Sequence, residues 1–181
     1  GGFFLAFNAG FINAIGLLGF KHQAVSHLTG TTTFLSLAVA NADFQEALHL
    51  LLVMVCFILG AAYSGIIIGN TALKLGRRYS LALITESILL FISMILLNHG
   101  SLLGHFFASA ACGLQNAMTS TYSGAIVRTT HVSGLFTDLG VALGLRLRGQ
   151  KADARKITLY LTLISGFTFG GIAGSLAFVK M

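Results

Sequence analysis

The chain has 181 residues and a mass of 19.1 kDa, and 55% of its residues are hydrophobic whereas only 9% are charged. Since an ordinary soluble domain carries about 25% charged residues, this chain cannot cover so large a core with a water-facing surface. The net charge of +6 would suit a nucleic-acid binder only if the cations shared one surface, but they lie in short gaps between apolar runs. We therefore predict an all-α, polytopic helical membrane protein whose environment is the lipid bilayer and which binds no nucleic acid.

Seven apolar segments follow one another, at 1–20, 25–40, 47–70, 79–97, 102–127, 131–146 and 156–179. A helix needs roughly 20 residues to cross the hydrocarbon core, and five of the segments are long enough. The segments at 25–40 and 131–146 are shorter and begin with polar, Gly-containing stretches, so we predict short or broken helices there. Cys56 and Cys112 both fall inside apolar segments and imply no disulfide. Residues 1–20 carry no signal-peptide pattern, so we predict a retained first membrane segment.

A series of residues in the first half of the chain recurs in the second half. Asn13 followed by Ser26-His27-Leu28-Thr29-Gly30 returns as Asn116 followed by Thr130-His131-Val132-Ser133-Gly134, 103 to 104 residues later. Phe57-x-x-Gly60 returns as Phe167-x-x-Gly170, 110 residues later. We therefore predict one transmembrane domain over 1–181, with repeat one at 1–73, a linker helix at 79–97 and repeat two at 102–181.

The basic residues bear on how the two repeats are oriented. Eight of the eleven Lys and Arg residues lie at 74–78 and 146–156, and the positive-inside rule places both loops in the cytoplasm. Three segments separate these loops, so they share one side only if the segment at 131–146 does not cross fully. If the segment at 25–40 likewise does not cross fully, each repeat crosses the membrane twice. The linker helix then inverts the second repeat relative to the first. Seven full spans with parallel repeats remain the alternative.

The combined motifs resemble those of the YoaK family of bacterial integral membrane proteins, a domain of unknown function. The stretches that carry the resemblance are Gly10-Phe11-Ile12-Asn13-Ala14, Ser26-His27-Leu28-Thr29-Gly30-Thr31-Thr32, Gly113-Leu114-Gln115-Asn116-Ala117, and Arg128-Thr129-Thr130-His131-Val132-Ser133-Gly134 with Thr137-Asp138-Leu139. The resemblance covers nearly the whole chain and implies a bacterial inner-membrane location, but no substrate. One difference is Asn13, where the family motif usually carries Asp.

Polar residues inside the apolar segments are the candidates for function. Because an ionisable group at membrane depth costs about 2.5–3.5 kcal/mol on insertion scales, each should be paired or face a cavity. Two repeats that each bring a polar helix break to one place resemble the plan in which a solute binds near the midplane between half-helix N-termini. The predicted substrate-binding residues are Asn13, His27, Thr29, Gly30, Thr31, Gln115, Asn116, His131, Ser133 and Gly134. The predicted proton-coupling residues are Asp138, His27, His131 and Glu86.

A structural role is the alternative for each of these residues. Thr and Ser beside Gly often serve close helix contacts, and Asp138 could form an ion pair with Arg128 or His131. Glu86 could face a neighbouring helix or a second subunit. These alternatives stay open at the level of the sequence.

The function predicted from these residues is transport of a small polar solute, with an anion and proton coupling as options. An enzyme is not expected, because neither H-E-x-x-H nor G-x-S-x-G occurs and no metal-ligand spacing is present, and no cofactor or metal is predicted. The alternative is a non-transporting scaffold or sensor that acts through helix-helix contacts, and a homo-oligomer is compatible with either function.

Overall fold

The computed structural model describes residues 2–19, 26–69, 76–122 and 130–180, and within these ranges it contains seven helices and no strand. Three of the helices, α3, α4 and α7, are long and apolar enough to cross a membrane. The all-helical membrane architecture predicted from composition is thus confirmed. The helices are α1 (Gly2–Leu18), α2 (Leu28–Ala40), α3 (Phe44–Ile68), α4 (Arg77–Asn98), α5 (Leu103–Tyr122), α6 (Val132–Leu147) and α7 (Ala154–Val179).

The tightest helix contacts pair α3 with α5 and α1 with α7. A Cβ atom added at Gly60 would lie 1.9 Å from the carbonyl oxygen of Ala110, and one added at Gly113 would lie 2.0 Å from that of Phe57. On the other pair, a Cβ at Gly170 would lie 1.9 Å from the carbonyl oxygen of Phe7. Only glycine allows backbones to approach this closely, so these small residues fix both pairs.

The order of contacts gives the direction of each helix. In α1 and α7 the contacts advance together, from Phe3 against Gly166 to Phe11 against Gly174, so the two helices are parallel. Helices α3 and α5 are also parallel, because Val53 meets Ser109 and Phe57 meets Gly113. Helix α4 is antiparallel to α5, since Glu86 contacts Gln115 whereas Ser93 contacts Gly104.

Helix α1 also packs on α5, in the antiparallel direction, and so connects the α1–α7 pair to the α3–α5 pair. Leu5 packs on a core cluster that includes Ile68, Tyr79 and Met118, whereas Ile12 packs near Cys112, closer to the start of α5. The first residues of α1, α4 and α7 therefore lie at the same end of the bundle. The end of α6 is joined to α7 at that end through residues 148–153.

The two short helices each continue the direction of the helix before them. Ala38 near the end of α2 packs against Ala47 near the start of α3, so α2 is antiparallel to α3, as α1 is. Leu135 near the start of α6 packs beside Leu163, well inside α7, so α6 is antiparallel to α7, as α5 is. The polypeptide therefore runs one way through α1 and α2, and the opposite way through α5 and α6.

Candidate functional site

Two side-chain hydrogen bonds hold the starts of the short helices against the preceding long ones. Ser26 donates its hydroxyl to Oδ1 of Asn13 on α1, at 2.8 Å. Asn116 on α5 donates its Nδ2 to the hydroxyl oxygen of Thr130. Each asparagine thus fixes the residue that immediately precedes a histidine, His27 in one case and His131 in the other.

His27 and His131 occupy the N-cap positions of α2 and α6, and neither side chain forms a capping hydrogen bond. Their imidazole rings lie over the first helical turn. A Cβ added at Gly30 would lie 2.9 Å from Nδ1 of His27, and one added at Gly134 would lie 2.7 Å from Nδ1 of His131. The two glycines therefore leave the space that the rings occupy.

The two helix starts open into one cleft of about 230 Å³. Phe57 of α3 and Ser120 of α5 form part of its wall, and the imidazoles of His27 and His131 both border it. Of the residues that the structure describes, nine line the cleft: Ser26, His27, Leu28, Thr29, Phe57, Asn116, Ser120, Thr130 and His131. None of these described residues is acidic.

A second polar cluster lies at Glu86, in the middle of α4. Its Oε1 accepts a hydrogen bond from Nε2 of Gln115 on α5 at 2.7 Å and another from Nδ2 of Asn8 on α1 at 3.2 Å. Glu86 is 5% exposed and Gln115 is 2% exposed. This cluster therefore joins three helices inside the bundle.

A family model described as a protein of unknown function, DUF1275, matches residues 1–180 of the chain. The chain belongs to the DUF1275 family. No curated protein and no solved structure matches it. The resemblance to an uncharacterised family is confirmed at the level of this family model.

The structure of this DUF1275 protein brings part of the predicted substrate site together. His27, Thr29, Asn116 and His131 line the cleft, and Asn13 borders it through its bond to Ser26. The other predicted residues near the helix starts do not line the cleft. Gly30 and Gly134 lie under the imidazoles, Thr31 is buried with its hydroxyl bonded to the carbonyl oxygen of His27, and Ser133 is exposed on α6.

Three further predicted residues lie away from the cleft. Gln115 donates a hydrogen bond to Glu86 and does not line the cleft, where the sequence prediction had placed it. Asp138 is exposed on α6, and its predicted partner Arg128 lies outside the described residues. In the described part of the chain, no group of three His, Cys, Asp or Glu side chains could hold a metal ion.

The sequence prediction omitted Ser26, Phe57, Ser120 and Thr130 from the site. Ser26 and Thr130 carried a usable signal, because each precedes a histidine at corresponding positions in the recurring series. Phe57 and Ser120 lie in the middle of one long helix and near the end of another, where nothing in the local sequence separates them from their neighbours. Only the packing of α3 and α5 brings them to the cleft.

Proposed function

We propose that this DUF1275 protein transports a small anion, which it binds in the cleft between the starts of α2 and α6. The observation that carries the proposal is that two helix N-termini without a side-chain cap open into one cleft. The first N–H groups of a helix lack intrahelical partners and carry a partial positive charge, so they favour a negative ligand. At the start of α2, Leu28 and Thr29 line the cleft, whereas α6 reaches it through its N-cap residue His131.

The walls of the cleft support a small anion over a cation or a bulky solute. The described residues that line it include no carboxylate to hold a cation, and they offer imidazole, amide and hydroxyl groups that donate hydrogen bonds. A volume of about 230 Å³ is below the roughly 300–1,000 Å³ of pockets that hold drug-sized ligands. A solute of several non-hydrogen atoms fits these dimensions.

We also propose that the two halves of the chain are inverted copies of one unit. The bond of Asn13 to Ser26 corresponds to the bond of Asn116 to Thr130, 103 to 104 residues later. The contact of Gly10 with Phe167 corresponds to that of Gly113 with Phe57, since Gly113 follows Gly10 by 103 residues and Phe167 follows Phe57 by 110. Opposite directions of α1 and α5 favour inverted copies over parallel ones.

Inverted halves provide a route from the cleft to each side of the membrane. Helix α2 leaves the cleft toward one end of the bundle and α6 toward the other. Each exposes a face of small residues at corresponding positions: Thr29, Thr33 and Ser36 on α2, and Ser133, Thr137 and Gly140 on α6. In inverted-repeat transporters, movement of one unit against the other opens such a central site to each side in turn.

The proposal is tested by anion binding to the purified protein. We expect at least one of formate, acetate, nitrate, sulfate and inorganic phosphate to raise the melting temperature of the protein in detergent, because a ligand that binds the folded state stabilises it. The double variant His27→Ala/His131→Ala is expected to bind that anion at least tenfold more weakly. The same anion should cross the membrane of proteoliposomes that contain the wild type.

His99→Ala provides the matched control, because His99 is an exposed histidine at the end of α4, outside the cleft. This control is expected to bind the anion as the wild type does. If no anion in the panel changes the melting temperature, or if the double variant binds as tightly as the wild type, the cleft is not an anion site.

The membrane orientation is a separate prediction. We propose a bacterial inner-membrane location with the loops 74–78 and 146–156 in the cytoplasm, since the first residues of α4 and α7 lie at one end and Arg77, Arg78, Arg155 and Lys156 are exposed there. Single cysteines at Gly76 and Gly149, in a variant without Cys56 and Cys112, should both be protected from an impermeant thiol reagent in intact cells. Labelling of only one of them would contradict the inverted arrangement.

A non-transporting scaffold is the other function considered from the sequence. It would need small-residue faces that are free to bind a partner helix. The closest glycine contacts, at Gly10, Gly60, Gly113 and Gly170, are all made within the chain. These four glycines are therefore not available to a partner helix, and a scaffold would have to use the exposed small residues of α2 and α6 instead.

A further inference from the structure

Glu86 contacts both α1 and α5, the two helices that precede the short helices at the cleft, so a change in its charge would affect both. Its Oε1 atom accepts hydrogen bonds from Asn8 of α1 and Gln115 of α5. Gln115 immediately precedes Asn116, which holds Thr130 at the start of the second short helix. Asn8 lies on the same helix as Asn13, which holds Ser26 at the start of the first. One carboxyl group on α4 is thereby connected to both anchors of the cleft.

The donors around Glu86 favour a proton over a metal cation as the species it binds. Both amide side chains present N–H groups to the carboxyl group, whereas a bound cation needs their oxygens. Because Oε1 accepts both bonds, Oε2 is the oxygen left to take a proton. A charged carboxylate in this buried position costs several kcal/mol unless it is compensated, and two neutral amides do not supply a counter-charge.

We propose that Glu86 is a proton-binding site of this membrane protein and that its protonation controls the cleft through α1 and α5. In the binding step a hydronium ion gives its proton to Oε2, which leaves water and a neutral carboxylic acid, and release reverses this step. A change of charge at Glu86 changes the strength of both amide hydrogen bonds, because bonds to a charged acceptor are about twice as strong as neutral ones. The coupling part of this inference rests on the proposed function, whereas proton binding does not.

Among the residues that the structure describes, few other titratable groups face Glu86 from the helices packed around it. Helix α1 contains none. On α5, Cys112 lies close enough to Glu86 for electrostatic interaction. On α3, the hydroxyl of Tyr63 contacts Thr85, the residue before Glu86. The test therefore has to exclude a contribution from Cys112 and Tyr63.

The experiment applies a pH jump to proteoliposomes adsorbed on a solid-supported membrane electrode, with none of the candidate anions present. We expect the wild type to give a transient charge displacement and Glu86→Gln to reduce it at least tenfold, because Gln keeps an acceptor for both amides but takes no proton. Cys112→Ala, Tyr63→Phe and Asp138→Asn are expected to retain the signal. In infrared difference spectra, the C=O band of a protonated carboxyl group should disappear in Glu86→Gln alone.

The remaining outcomes separate this inference from the anion site. His27→Ala/His131→Ala should keep the charge displacement, so failure of the anion site would leave proton binding at Glu86 standing. In Glu86→Gln, anion binding measured by melting temperature should lose its dependence on pH if the two sites are coupled. A normally folded Glu86→Gln protein that keeps the full displacement, or loss of the signal in Asp138→Asn instead, would overturn the assignment of Glu86.

Discussion

Replacing Gly60 by Ala is expected to lower the free energy of unfolding by about 3 kcal/mol, the upper part of the usual range for overpacking. The new Cβ would lie 1.9 Å from the backbone carbonyl oxygen of Ala110, and a backbone atom inside a helix cannot rotate away as a side chain can. Helices α3 and α5 would have to separate along their whole contact. Denaturant titration in mixed micelles, followed by circular dichroism, measures the change.

Gly65→Ala is the control on the same helix, because nothing lies within 4 Å of a Cβ at that position. It should leave the stability unchanged or raise it slightly, since Ala favours the helix by about 1 kcal/mol over Gly. Gly170→Ala should behave like Gly60→Ala, since its Cβ would lie 1.9 Å from the carbonyl oxygen of Phe7. Equal stabilities for Gly60→Ala and Gly65→Ala would mean that the close backbone contact does not exist.

Replacing Glu86 by Leu is expected to cost about 2–4 kcal/mol of folding stability, because the substitution leaves two amide donors without an acceptor and each buried unsatisfied donor costs about 1–3 kcal/mol. The unsatisfied amide of Gln115 should account for most of this loss of stability, since Gln115 is 2% exposed whereas Asn8 is half-buried. Glu86→Gln should cost less than half as much, because its carbonyl oxygen still accepts the bonds. Thermal unfolding of the purified variants measures the difference.

A double-mutant cycle separates this loss from simple changes in packing. In Glu86→Leu/Gln115→Leu both partners of the shorter bond are apolar, so part of the stability should return relative to Glu86→Leu. Ser87→Leu, at the exposed neighbouring position, should have little effect. Additive losses in the two Leu substitutions would indicate that the bond between Glu86 and Gln115 contributes nothing to stability.

The helical membrane architecture follows from the sequence alone, because composition and the length of apolar runs are local properties. The recurring Asn, His and Gly residues likewise indicated which parts of the chain form the cleft, since a helix start needs particular residue types at fixed spacing. Four of the predicted substrate residues, His27, Thr29, Asn116 and His131, do line it. These signals need no knowledge of which helices are neighbours.

The pairing of helices is what only the tertiary structure decided. Helix α1 packs on α7 and α3 packs on α5, so each of these four helices finds its closest partner in the other half of the chain. Gln115 and Asn116 are adjacent in sequence, yet successive residues of a helix point about 100° apart, so one faces Glu86 and the other faces the cleft. Such directions depend on contacts between distant segments, and for that reason the chain's local pattern could not assign Gln115 to Glu86 or Phe57 to the cleft.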